Sequence, residues 1–133
     1  MGYAYAPMMA RWNAFAAALL LGLIIALWHV PLYYFLIADP VMLAATLFLP
    51  VVLRILLVWI FSNTGQSVFA AILFHAMNNV AFAVLPVNAV VSTLTYTVAA
   101  FVVTILWGPA TMAEFRWEKQ TIETNWGYQE RKT

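Results

Sequence analysis

Two histidines and two asparagines lie inside long apolar stretches of this sequence. His75 and Asn79 are four residues apart, so they lie on one face of a helix, and Asn78 borders that face. His29 lies in an earlier apolar stretch. Because polar groups are costly inside a membrane, such residues mark a functional site by default. Neutral imidazoles bind metal ions, and imidazole or amide N–H groups stabilise the oxyanion of peptide hydrolysis. Both chemistries stay open at this point.

Other chemistries are excluded by residues that the sequence lacks. It has no cysteine, which excludes disulfides, thiolate nucleophiles and thiolate-bound metals. The usual helical zinc-protease pattern places Glu directly after the first histidine and a second histidine at i+4. This chain has Ala76 and Asn79 at those positions. A net charge of +1 argues against nucleic-acid binding.

The composition is that of a membrane protein. Hydrophobic residues make up 65% of the chain and charged residues 8%, whereas soluble domains carry roughly 25% charged residues. Between Trp12 and Ala113 only Asp39 and Arg54 are charged, too few to cover a soluble surface. We therefore predict an all-α integral membrane protein in contact with the lipid bilayer.

Four apolar stretches are each long enough to cross a bilayer as a helix, which takes roughly 20 residues. Turn-forming or polar residues separate them, and the short connections predict a bundle of about four antiparallel transmembrane helices. The predicted helices cover residues 13–38, 41–61, 67–85 and 88–107.

Two prolines, Pro31 and Pro50, fall inside these stretches. Proline removes a backbone donor and kinks a helix, so a kink just after His29 is expected to open space beside its imidazole. If the first and third helices pack side by side, both imidazoles and the Asn79 carboxamide converge on one cavity.

The flanking segments predict the orientation. Residues 1–12 form an N-terminal interfacial segment, 13–109 the transmembrane domain, and 110–133 a polar tail that is either solvated or an interfacial helix. Arg11 precedes the first helix, and the tail holds four Arg or Lys residues. The positive-inside rule and an even number of spans predict a cell-membrane protein with both termini in the cytoplasm.

Two motifs resemble those of a known family. Residues 67–75, Ser-Val-Phe-Ala-Ala-Ile-Leu-Phe-His, together with Asn79, resemble the His-x-x-x-Asn motif of the CPBP family. That family includes type II CAAX prenyl endopeptidases and the Abi proteins of bacteriocin processing and self-immunity. Residues 26–32, Ala-Leu-Trp-His-Val-Pro-Leu, are similar to its Phe-x-x-x-His motif, with Ile25 in place of Phe.

The resemblance, which spans residues 2–79, implies a fold, a reaction and a site. The four helices would be the second half of an eight-helix fold that cleaves membrane-embedded or lipid-modified peptides. His29, His75 and Asn79 would be the catalytic residues that polarise the scissile carbonyl. If the site uses a metal, zinc being the candidate, His29 and His75 would be its ligands. Independently of the resemblance, Asn78 is expected either to lie behind these groups or to contact another helix, and Arg54, which no motif of the family covers, is expected to lie behind them.

The family's first motif, Glu-Glu-x-x-x-Arg, supplies the glutamate that activates the attacking water, and no Glu-Glu pair occurs in this sequence. The chain is therefore expected to be a fragment, a misassigned start or a decayed copy. It is also expected to be inactive as it stands, because its water lacks a base. The acidic residues of the tail are poor substitutes, since they follow the last span.

Each of these residues also has a structural interpretation. His29 could bond a backbone carbonyl near Pro31, and His75 with Asn79 could hold helices together by hydrogen bonds. Arg54 is expected to snorkel toward lipid phosphate, with a substrate carboxylate as the alternative partner. The tyrosines are interpreted as packing or membrane-interface residues.

Two further functions stay open for the whole protein. The chain could be a non-catalytic membrane subunit or self-immunity protein that binds a partner through small-residue helix faces. Alternatively, the two histidines could be axial ligands of a haem between helices.

Overall fold

The computed structural model describes residues 7, 8, 11–113 and 115. That part of the chain contains four helices, α1 (Ala14–Leu36), α2 (Pro40–Asn63), α3 (Val68–Val84) and α4 (Ala89–Trp107). Each coincides with one predicted apolar stretch, so the all-α bundle is confirmed. Most of the predicted interfacial segment and of the predicted tail lies outside the described residues.

Each helix begins at a short polar residue that caps it. The side chains of Asn13, Asp39, Ser67 and Asn88 accept hydrogen bonds from backbone N–H groups two or three residues further on. These bonds satisfy N–H groups that have no partner inside the helix. The helix starts follow from the sequence because the same residues interrupt its apolar stretches.

Both internal prolines lie within continuous helices. α1 runs through Pro31 and α2 runs through Pro50. Because proline has no N–H, the carbonyls of Leu27 and Thr46 lose their helical donors. Thr46 and Pro50 both line the cavity described below.

α2 is the central helix, against which α1, α3 and α4 each pack. α1 contacts it through buried small residues at every fourth position, Ala14, Ala18, Gly22 and Ala26. A Cβ atom on Gly22 would lie 2.8 Å from the Cα of Val51, so the close approach requires glycine at this position. Small residues let membrane helices pack closely where burial of apolar surface gives little driving force.

The segment after α4 closes one end of the bundle. The first N–H groups of α1, at Ala14 and Phe15, donate to the carbonyls of residues 110 and 109 over 2.8 and 3.1 Å. The Asn63 side chain at the end of α2 donates to the Met112 carbonyl over 2.6 Å. These bonds join the start of α1, the end of α2 and the end of α4 at the same level.

The outer surface of the bundle is apolar. Trp28 and Phe35, for example, are 81% and 84% exposed, which suits contact with lipid rather than water. By length and composition α1, α2 and α4 can each cross a membrane, with mean hydropathies of 2.2, 2.5 and 2.0. α3 has 17 residues and rises about 26 Å, somewhat less than the hydrocarbon core of about 30 Å. The chain is a multi-pass membrane protein.

Candidate functional site

A cavity of about 850 Å³ lies among α1, α2 and α3. Its walls extend to the α1–α2 and α3–α4 connections. The polar and charged residues selected from the sequence all line it: His29, Arg54, His75, Asn78 and Asn79. Direct packing of α1 against α3, which the sequence analysis considered, is not needed for this. Each of the two helices packs against α2 instead, α1 far more extensively than α3.

His29 is oriented by its own helix. Its Nδ1 lies 2.7 Å from the carbonyl oxygen of Ile25, and because a carbonyl only accepts, Nδ1 carries the proton. In the neutral ring Nε2 is then an acceptor and the nitrogen available to a ligand. The ring also stacks on Tyr33, with 5.5 Å between centroids. The backbone hydrogen bond considered from the sequence is thus present, on a ring that also lines the cavity.

The side chains of His75 and Asn79 are open to a ligand. Both residues are exposed and line the cavity from α3. Neither side chain makes a hydrogen bond to another residue in the described part of the chain. They therefore do not hold helices together there, and their polar atoms have no protein partner among the described residues.

Asn78 forms the hydrogen bond between helices instead. It is 7% exposed, and its Oδ1 accepts from the hydroxyl of Tyr96 on α4 over 2.6 Å. With Oδ1 occupied, the amide N–H₂ group is the part of Asn78 that is free to donate. Because Asn78 also lines the cavity, the hydrogen bond from Tyr96 fixes the orientation of an amide group in the cavity wall.

Arg54 lies where the main cavity meets a smaller one. The second cavity, of about 310 Å³, lies between α2 and α3 and shares Arg54, His75 and Asn79 with the first. Its other walls are apolar, formed by residues such as Leu57 and Ile72. The guanidinium-bearing side chain is half-buried and has no hydrogen bond or ion pair among the described residues.

A zinc ion would find only part of its ligand set in this cavity. Catalytic zinc sites use three protein ligands, and His29 Nε2 and His75 supply two nitrogens. Within the described residues no group of three or more His, Cys, Asp or Glu side chains is close enough to hold a metal. These residues alone do not form a complete zinc site.

A carboxylate that could serve as the base for water is likewise missing from the cavity. The only carboxylate among the described residues belongs to Asp39, which caps the start of α2 by accepting from Met42 N over 2.7 Å. Asp39 does not line the cavity. The cavity therefore offers donors, a cation and the acceptor nitrogens of two imidazoles, and its donors and cation suit polarisation of a carbonyl.

Sequence reasoning missed the parts played by two tyrosines. The sequence predicts Tyr33 and Tyr96 to be packing or membrane-interface residues, yet Tyr33 lines the cavity beside His29 and Tyr96 donates a hydrogen bond to Asn78. The position of Tyr33 at i+4 from His29 could have revealed the first contact. No local signal marks the second, because it depends on how α4 packs.

The fold and the cavity define a class of protein, a multi-pass helical membrane protein with a His- and Asn-lined site between its helices. The family described as type II CAAX prenyl endopeptidase Rce1-like matches residues 1–81, which include His29, His75 and Asn79. The chain belongs to this family, and the resemblance seen in its motifs is confirmed. No curated protein and no solved structure matched the chain.

Proposed function

We propose that this chain carries the carbonyl-polarising half of a CAAX-type intramembrane endopeptidase site. The substrate is a membrane-embedded or lipid-modified peptide. The observation that carries the proposal is that His29, His75 and Asn79, from two helices, line one cavity among apolar walls. Family membership supports the same reaction.

His75 and Asn79 are placed to act on the scissile carbonyl. Their side chains have no partner in the described chain, so their N–H groups are free to donate to the developing oxyanion. Hydrogen bonds are worth more in a site that excludes water, and removing one such donor typically costs about 10²–10³ in kcat. The amide of Asn79 donates in every protonation state, whereas His75 donates from one ring nitrogen when neutral.

His29 has a different part in the reaction. Because Nδ1–H is bonded to the Ile25 carbonyl, neutral His29 offers Nε2 as an acceptor. It accepts a hydrogen bond from the attacking water, and it becomes a third donor to the oxyanion, beside His75 and Asn79, only as the imidazolium. Its stacking on Tyr33 holds the ring at this angle.

The base that deprotonates the water is a glutamate of the Glu-Glu-x-x-x-Arg motif, which the sequence does not contain. The 133-residue chain is therefore proposed to be inactive by itself. Adding a helix that bears the motif should complete the site. The extended protein cleaves the peptide. The glutamate of the motif then acts together with His29, His75 and Asn79.

The direct test is cleavage of a prenylated CAAX peptide in proteoliposomes, followed by mass spectrometry. The chain extended at its N-terminus by a Glu-Glu-x-x-x-Arg helix should form product, and the 133-residue chain should not. In the extended protein His75→Ala should lower kcat by about 10²-fold or more, since an oxyanion donor is lost. Asn79→Ala should have a comparable effect.

Met77→Ala is the matched control, because Met77 lies on α3 between the site residues, is exposed, and lines neither cavity. It should leave cleavage within about twofold of the parent, as surface substitutions normally do. Full activity in His75→Ala would overturn the site assignment. Turnover by the 133-residue chain would refute its proposed inactivity.

A non-catalytic function has one observation in its favour, the absence of a Glu-Glu pair from the sequence. On that alternative the chain is a membrane subunit or self-immunity protein that binds a partner. It predicts that the extended protein stays inactive and that His75→Ala leaves partner capture unchanged.

A further inference from the structure

Arg54 is the one charged residue within the described helices. It lies on α2, half-buried, and lines both cavities together with His75 and Asn79. The only carboxylate of the described chain belongs to Asp39, which caps the start of α2 15 residues before Arg54, about 22 Å along the axis. Arg54 has no ion pair or hydrogen bond among the described residues.

A cation in this position needs an anion. A guanidinium at membrane depth is costly unless it is paired or reaches the interface. Arg54 precedes the end of α2 at Asn63 by nine residues, about 14 Å of helix, which is longer than an extended arginine side chain. An anion within the cavities is therefore a better partner for its guanidinium than a lipid phosphate. The planar fork of arginine matches a carboxylate with two parallel hydrogen bonds.

We propose that Arg54 binds the C-terminal carboxylate of the peptide substrate and so determines specificity for a free chain end. This rests on the proposed function, in which the carbonyl to be cleaved lies at His75 and Asn79. Since Arg54 borders the same two cavities, the carboxylate and the cleaved bond lie close together. The fragment released is short, and a CAAX sequence supplies such an end.

The second cavity supplies the apolar part of this recognition. Leu57, Val68 and Ile72 line it beside Arg54, so apolar side chains next to the carboxylate leave water as the charge is paired. Arg54 also offsets the cost of bringing a carboxylate to this depth. Recognition then requires both an apolar end and a negative charge.

The test measures binding, which does not depend on the missing base. A fluorescent prenylated CAAX peptide with a free C-terminal acid is compared with its C-terminal amide by anisotropy. The 133-residue chain is used in nanodiscs of uncharged phosphatidylcholine. The acid should bind at least about tenfold more tightly than the amide, as for a charge-assisted pair. In Arg54→Gln the acid-to-amide ratio should fall to about one, with amide binding unchanged.

Two variants serve as controls. Arg54→Lys keeps the charge but loses the bidentate fork, so it should retain part of the preference for the acid. Arg11→Gln removes a charge before α1, away from both cavities, and should behave as the parent. Binding of the C-terminal amide peptide shows whether a variant is folded, since a misfolded variant binds neither peptide.

A ratio near one in the parent, or a ratio that persists in Arg54→Gln, would overturn the inference. So would binding of neither peptide. If Arg54 serves lipid instead, the parent shows no acid preference and Arg54→Gln lowers the amount of phosphatidylglycerol that the purified protein retains from mixed micelles. The proposed function is tested separately, by the cleavage assay. It fails if cleavage by the extended protein does not depend on His75.

Discussion

The candidate side chains differ in the hydrogen bonds that they already make. His29 is held by Ile25, whereas His75 and Asn79 have no partner in the described chain. A side chain whose donors are all unpaired binds a developing charge without first breaking an internal bond. The structure thus separates an oriented acceptor on α1 from free donors on α3, a distinction that residue types alone do not make.

The bond between His29 and Ile25 predicts one tautomer. Neutral His29 should carry its proton on Nδ1, because the carbonyl at 2.7 Å cannot donate. Long-range ¹H–¹⁵N correlation spectra of histidine-labelled protein, recorded at a pH where the ring is neutral, check this. His75→Gln assigns the signals by removing the other ring. A proton on Nε2 of His29 would show that the ring is not oriented by α1.

The hydrogen bond between Tyr96 and Asn78 predicts a stability effect. Tyr96→Phe removes the hydroxyl that donates to Asn78 and should destabilise the protein by about 0.5–2 kcal/mol, as hydrogen bonds between membrane helices do. Equilibrium unfolding in mixed micelles measures it.

Tyr34→Phe is the control for that measurement, because Tyr34 is exposed and makes only an edge contact with Phe35. It should change stability by less than about 0.5 kcal/mol. Equal effects of the two substitutions would mean that the bond to Asn78 contributes nothing.

Sequence patterns identify the polar residues that line the cavity better than they identify the residues packed beside them. His29, His75 and Asn79 were identified because polar residues are rare in apolar stretches, and rarity is visible without a structure. Tyr33 and Tyr96 were not, because aromatic residues are common in this sequence and only packing decides which of them meets a polar group. A helix contact of Asn78 is one of the two roles expected from the sequence, but its partner on α4, Tyr96, has no signal in the sequence.

At the level of helices, contact between α1 and α2 depends on small side chains. The repeat of Ala14, Ala18, Gly22 and Ala26 faces α2, and this contact sets the position of His29 relative to Arg54. The ideal Cβ on Gly22 would also lie 3.4 Å from the Cβ of Arg54. The distance between α1 and α2 at Gly22 therefore determines the width of the cavity beside Arg54.

Gly22→Ala should destabilise the bundle by about 1–3 kcal/mol, the range for overpacking. The added methyl would meet the Val51 backbone, which cannot move aside as a side chain does. Peptide binding should weaken as well, since α1 is pushed away from α2. Unfolding in mixed micelles and anisotropy measure the two effects.

Val91→Ile provides the comparison, since it adds one methyl to an exposed position on α4 and should be nearly neutral. An equally small effect of Gly22→Ala would indicate that α1 does not approach α2 this closely.

Helix boundaries were predictable and helix arrangement was not. The polar residues that separate the apolar stretches also cap the helices, so one signal gives both the end of one stretch and the start of the next helix. These residues are Asn13, Asp39, Ser67 and Asn88. The central place of α2 has no comparable signal, because all four helices are apolar on most faces. The small-residue repeat of α1 is the single pattern that could have indicated a partner face.

For the molecule as a whole, the short α3 is the element that decides the topology. Its 17 residues carry His75, Asn78 and Asn79 near their middle, and the bundle has an even number of spans only if α3 crosses. The chain has no cysteine, so single introduced cysteines report the side of each connection directly.

The predicted orientation has both termini in the cytoplasm. In intact cells Ala38→Cys and Val87→Cys should react with an impermeant maleimide, and Gln66→Cys should react only after lysis, since these residues lie in successive connections. Labelling of Val87→Cys and Gln66→Cys from the same side would show that α3 does not cross. Reversal of all three would invert the orientation and keep the fold.

The convergence of α1 and α3 on one cavity is tested most directly by cross-linking between those helices. The double variant that combines His29→Cys with His75→Cys has both cysteines in the cavity wall. A short bifunctional maleimide should join them in native membranes. Leu27→Cys with Met77→Cys, two exposed positions outside the cavity, should not be joined. Efficient cross-linking of the first pair alone is the predicted result. Equal cross-linking of both pairs, or none for the first, would contradict a shared site and the peptidase function proposed from it.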